Sequence, residues 1–135
     1  MINFDTGLAA GTEVARLAKI ASLDPAKPAG GNQMHSDEFA QRMGFKGALM
    51  PAPTLMAYVT ELLISVYGEA WFDDGSLKLR FRRPVYNQEQ ILVKAQFKEM
   101  KEEAVSSSVI LDVTLEKSDG EVAVIGEANC SVAVP

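Results

Sequence analysis

The spacing of apolar and polar side chains changes character along the 135-residue chain. Residues 1 to 34 are mixed, and they end in DPAKPAGGNQ, a stretch rich in Pro and Gly that reads as irregular. Ser36-Asp37-Glu38 then opens a short helix through Met43. Ser36 supplies the N-cap, the two carboxylates suit the positive end of the helix dipole, and Gly44 stops the helix. After FKGALMPAP the spacing predicts the longest helix, Thr54 to about Tyr67, ended by Gly68. Pro51 and Pro53 fit its first turn, where a missing N–H costs nothing. The segment LMAYVTELLISVY is apolar on nearly every side, which predicts a helix wrapped by other structure.

Beyond that helix a period of two takes over. In SLKLRFRRPV, Leu77, Leu79 and Phe81 fall on one face and Lys78, Arg80 and Arg82 on the other. QILVKAQFKEM, AVSSSVILDVTLEKS and EVAVIGEANCSVAV continue in the same manner, and Asp119-Gly120 marks a hairpin between the last two. One buried helix followed by about four long antiparallel strands predicts an α+β fold, an antiparallel sheet wrapped around a long central helix. At this length the whole chain, residues 1–135, makes a single domain.

Composition narrows the function classes. The chain is 47% hydrophobic with a net charge of −5, so it has no basic surplus with which to displace counterions from nucleic acid. No run of about 18 apolar residues is present, which argues against a membrane span. The N-terminus lacks the basic start and apolar core of a secretory leader, and the chain has one cysteine, so a cytoplasmic location is expected. Cys130 lies in the alternating VAVIGEANCSVAV and reads as a small strand residue rather than a nucleophile. No metal-ligand cluster, phosphate-binding glycine loop or Ser-His-Asp set has the required spacing, so no metal and no separate cofactor are expected.

The stretch MHSDEFAQRMGFKGALMPAPTLMAYVTELL resembles the MaoC-like (R)-specific enoyl-thioester hydratases and 3-hydroxyacyl-thioester dehydratases, which have the hotdog fold. Asn32, His35, Asp37, Ala40, Gly44 and Phe45 fall into the family's register, and YGEAWFDDGSLKLRFRRPVYNQEQ is similar to the segment that follows its helix. Three positions depart from the pattern. Gly30 stands where the family has its catalytic Asp, Gln33 where it has Pro, and Pro51-Ala52 where it has His-Gly at the helix start.

The resemblance implies hydration or dehydration of an acyl thioester at a remodelled site. Coenzyme A or phosphopantetheine enters only as part of the substrate. Such chemistry needs a base to activate water, a proton for the α-carbon and a donor for the thioester oxygen. His35, the single histidine, is the expected acid/base group, because its ordinary pKa lies near neutrality. Asn32 can orient a water, and Asp24 is an alternative source of the missing carboxylate. Thr60 matches a position where the family carries a hydroxyl near its catalytic pair, although residue type alone favours a buried hydroxyl bonded to the backbone. The N–H of Ala52 is expected to face the thioester oxygen, while Met50, Met56 and Tyr58 line either the core or an acyl tunnel. Arg80 and Arg82, with Lys78 and Arg83, are candidates for the phosphates of coenzyme A or an acidic carrier protein.

Two further readings stay open. Glu61 lies on the helix where hotdog thioesterases place a catalytic carboxylate, so thioester hydrolysis is an alternative. Loss of the Asp and of His-Gly also fits a non-catalytic subunit that lends an acyl-binding site to an active partner. A homodimer is expected from the resemblance, and a hetero-oligomer with a catalytic subunit is the alternative.

Overall fold

The period-two segments pair into one antiparallel sheet in a computed structural model that describes residues 4, 7–23 and 36–133. The DPAKPAGGNQ stretch, and with it Asp24, Gly30 and Asn32, lies outside the described residues, as does His35. The described elements are β1 (Glu13–Ile20), α1 (Asp37–Arg42), α2 (Ala52–Tyr67), α3 (Ala70–Asp74), β2 (Ser76–Phe81), β3 (Gln90–Glu102), β4 (Ser106–Lys117) and β5 (Val122–Ala133). The sheet order is β1-β3-β4-β5-β2, with antiparallel pairing throughout.

The central helix starts at Ala52, two residues before the predicted Thr54, because a proline fits either at its edge or inside its first turn. Its sixteen residues span roughly 24 Å. Leu55, Val59, Leu62, Leu63 and Val66 are buried in a stripe with helical spacing, and they join one core with Val93, Ala95, Leu111, Val113 and Ala128 of the sheet. Odd-numbered residues of β3 up to Phe97 and of β4 face that stripe, which is why burial alternates along them; a register shift between Phe97 and Glu99 then turns Met100 toward the core.

Three expectations need correction. The mixed N-terminal region contains β1, whose EVARLAKI has local preferences closer to a helix than a strand. Pairing with β3, from Arg16↔Lys94 to Ile20↔Gln90, overrides them. This makes five strands where about four were expected. A short helix, α3, occupies the segment after Gly68, where no element is predicted above. Finally, α2 is not wrapped on all sides. Pro53, Met56, Ala57 and Glu61 line an open face, with Met56 44% exposed.

The C-terminal end of α2 is fixed by polar as well as apolar contacts. Tyr67 is fully buried, its hydroxyl donates to the Val109 carbonyl (2.9 Å), and its ring stacks on Trp71 of α3 at 5.7 Å. Burial pushes the Tyr67 phenol well above its ordinary pKa, so it remains the neutral donor this contact needs. Asp74, at the end of α3, accepts from the Ser131 N–H (3.1 Å) and lies 3.5 Å from the Cys130 thiol, which ties α3 to β5. Those hydrogen bonds from Ser131 hold the Asp74 carboxyl below its usual range.

The backbones of β2 and β5 approach closely where Leu79 pairs with Gly126. A Cβ on Gly126 would lie 2.1 Å from the Lys78 carbonyl oxygen, a separation only a glycine avoids. We expect Gly126→Ala to destabilise the fold by about 1–3 kcal/mol, read as a lower urea midpoint. Cys130 is 1% exposed, and burial together with the Asp74 carboxylate pushes its thiol up to about 12. It should resist iodoacetamide at pH 8 in the native protein and react on unfolding. Because the native pKa is raised, the stabilising contribution is complete below the unfolded value near 9 and is lost as pH climbs toward 12.

Candidate functional site

The start of α2 is built by a short stretch of main chain that leans on the β2–β3 connection. The Met50 N–H donates to the Val85 carbonyl (2.7 Å), and the Asn87 N–H donates to the Ala48 carbonyl (3.0 Å). Leu49 and Tyr86 form a single antiparallel bridge between them. Met50 is 6% exposed and lies in the core behind the helix start. Pro51 is the N-cap, with no side-chain cap, and its carbonyl accepts from the N–H groups of Thr54 (3.1 Å) and Leu55 (3.2 Å). Pro53 has no N–H. The Ala52 amide is therefore the one first-turn donor that has no partner among the described residues, and Ala52 is exposed. At the positive end of a sixteen-residue helix this amide is suited to an anionic or polarised carbonyl oxygen.

The downstream half of the histidine motif folds against this point. The Ser36 hydroxyl accepts from the Phe39 N–H (3.3 Å), so Ser36 caps α1 as its position predicts. Asp37 does more than neutralise the helix dipole: its Oδ1 accepts from the Ala48 N–H at 2.8 Å. Gly47 allows that approach, since a Cβ there would meet Asp37 Oδ1 at 3.0 Å. Ala40 is fully buried, and Gly44 takes φ +95°, a conformation that favours glycine. Asp37, Ala40 and Gly44 thus each have a stereochemical task in joining α1 to the approach of α2.

The other predicted side chains scatter. Thr60 lies on α2 with its hydroxyl donating to the Met56 carbonyl (2.9 Å), the backbone-bonded alternative for this residue. Tyr58 is half-buried against the core, and its hydroxyl accepts from the Ser22 N–H (3.3 Å). Glu61 lies on the open face of α2, where Pro53, Met56, Ala57, Thr60 and Ile64 surround a shallow depression of about 430 Å³. Its carboxylate pairs with Lys19 of β1 at 2.8 Å, and the Lys19 ammonium also lies 5.7 Å over the Tyr58 ring. A carboxylate held by an ammonium has one oxygen committed, which weakens it as a nucleophile.

Lys78 and Arg80 alternate with Leu77 and Leu79, which pack on the core, and they line a groove of about 720 Å³ on the outer side of the sheet. Arg82 follows the end of β2, and its N–H donates to the Ala123 carbonyl (2.7 Å). Arg83 is engaged with Glu121 at 2.6 Å.

Sequence reasoning missed Lys19 and Asn87. Lys19 was hidden because β1 was not recognised. Asn87 had a faint sign in the polar turn YNQEQ, where the following Gln88 takes φ +71°, unusual for a residue with a side chain.

No family model matches the sequence, and no curated protein matches it. Solved structures do. The (R)-hydratase from A. caviae involved in PHA biosynthesis superposes with a TM-score of 0.74 at 21% identity, covering 97% of this chain and all of the other. The MaoC-like dehydratase from Rhodospirillum rubrum gives 0.75 at 16% identity, covering 95% and 94% of the two chains. A chain of the ChsH1–ChsH2 complex from Mycobacterium tuberculosis gives 0.72 at 14% identity, covering 92% and 98%. Among the described residues no helix is long and apolar enough to cross a membrane. Strand order, the helix lying across the sheet and end-to-end superposition agree: this chain has the hotdog fold of the MaoC-like hydratases and dehydratases.

Proposed function

We propose that the chain belongs to the MaoC-like group and acts on enoyl or 3-hydroxyacyl thioesters, adding or removing water at a remodelled site. The observation that carries this reading is the spaced motif Asn32, His35, Asp37, Ala40, Gly44 and Phe45 in a chain with that fold. In the hydration direction His35 takes a proton from water as its oxygen bonds to the β-carbon, and the protonated His35 returns that proton to the α-carbon, so one water is added overall. Asn32 orients the water. The Ala52 amide receives the thioester oxygen as negative charge gathers there. Gly30 leaves His35 without the usual carboxylate on its own loop, and Asp24 is the substitute within the same segment. Coenzyme A or a phosphopantetheine arm arrives with the acyl group, and Arg80 and Arg82 are the cations we assign to its phosphates. We assign the reaction to the cytoplasm and to a homodimer.

A second reading is favoured by the same departures. Gly30, together with Ala52 where the motif has glycine, fits a subunit that binds acyl thioester for an active partner, and one structure of the same fold comes from a complex of two different proteins. The purified chain should hydrate crotonyl-CoA, seen as loss of enoyl-thioester absorbance, and His35→Ala should lower kcat by about 10²-fold or more. Absence of product from the homodimer, with activity recovered on adding a native partner, would favour the binding subunit. Release of free thiol from acyl-CoA, abolished by Glu61→Gln, would instead favour hydrolysis and overturn the hydratase assignment.

A further inference from the structure

Three hydrogen bonds run in series between residues that are far apart in sequence. The Leu23 N–H donates to Asn87 Oδ1 at 2.9 Å, the Asn87 N–H donates to the Ala48 carbonyl at 3.0 Å, and the Ala48 N–H donates to Asp37 Oδ1 at 2.8 Å. Asn87 therefore uses both side chain and main chain, and Ala48 uses both of its main-chain polar groups. Leu23 and Asp37 are the described residues on either side of residues 24–35, apart from the cap Ser36. We propose that Asn87 and Asp37 are positioning residues: together they tie both flanks of the 24–35 segment to the two residues before Met50 and so to the start of α2.

Neighbouring contacts make the upstream tie directional. The Gln88 N–H donates to the Ala21 carbonyl (2.6 Å), the Ala21 N–H donates to the Glu89 carbonyl (2.8 Å), and Tyr58 accepts from Ser22. Gln88 takes its positive φ at the point where its N–H must reach Ala21. A residue at φ +71° is held there by its surroundings, and here the surroundings are this junction. Asn87 then fixes Leu23, the last described residue before the segment. At the other flank Asp37 acts through Ala48, with Gly47 giving it room. The consequence rests on His35 being the acid/base group. The link holds the described chain on both sides of that residue relative to the start of α2, and a displacement near 1 Å between catalytic groups can lower turnover by about 10²-fold.

The test uses the full chain and compares Asn87→Ala, Asn87→Asp, Asp37→Ala, Asp37→Asn and His35→Ala. Crotonyl-CoA hydration and amide hydrogen exchange are measured on each. We expect Asn87→Ala to lower kcat about tenfold or more while KM stays within about twofold. Exchange at Leu23 and Ala48 should quicken. Asn87→Asp and Asp37→Asn keep the accepting oxygen and should restore most of the rate and protection. If Asn87→Ala fails to fold, Asp37→Ala reads the same link from its other end. Native kcat in the Ala variants beside an inactive His35→Ala overturns the positioning role and leaves the proposed chemistry standing. A fully active His35→Ala removes the chemistry instead. Exchange then decides the link alone, quickened exchange at both flanks upholding it and unchanged exchange at Leu23 overturning it.

Discussion

Everything described depends on the burial of one helical stripe against one curved sheet face. The inner face of β3, β4 and β5 is almost wholly apolar, and a sheet with that face uncovered has no stable existence in water. Leu55, Val59, Leu62, Leu63 and Val66 cover it along the length of α2. Full burial of each such side chain contributes about 1.5–3 kcal/mol relative to exposure, so the stripe outweighs any single polar contact in the molecule. The start of α2 is consequently held in place by packing along the whole helix, and the polar groups around it need only adjust its local approach.

The outer face follows different physics. Lys94–Glu116 and Lys98–Glu127 pair across strands there, in contact with solvent. Such solvent-exposed pairs contribute little to stability; they keep the outer face polar. The inner and outer faces thus divide the work between cohesion and solubility. The junction at the start of α2 belongs to neither, because its bonds, main chain to main chain and main chain to side chain, are made in loops. It is where a substitution alters geometry without removing the core.

How far the sequence could be read follows from this division. β2 to β5 and α2 were legible because burial imposes a strict period on them, and the turn at Asp119-Gly120 carries its own chemistry. The start and stop of α1 were legible because Ser36 and Gly44 act locally. β1 was not, since its pairing with β3 contradicts its composition. The open face of α2 was not legible either: Met56 and Ala57 look like core residues in isolation, and only the tilt of the helix on the sheet decides which side they face. At the site, the motif around His35 was visible as spacing, and the amide of Ala52 as the consequence of two prolines. The bonds of Asn87 were beyond reach, because a turn residue's choice of partner is made by chain segments about forty and sixty residues distant.

The two edges of the sheet bear on behaviour in concentrated solution. β1 and β2 both present backbone groups that another strand could join; on β1 Arg16 and Lys19 are paired with Glu13 and Glu61, whereas on β2 Lys78 and Arg80 have no ion-pair partner among the described residues. Two β2 edges approaching each other meet like charge, which opposes unscheduled strand addition. That opposition is electrostatic and reaches only about 10 Å at 0.1 M salt. The barrier to pairing two β2 edges is therefore tuned by ionic strength, while the apolar core is far less sensitive to it.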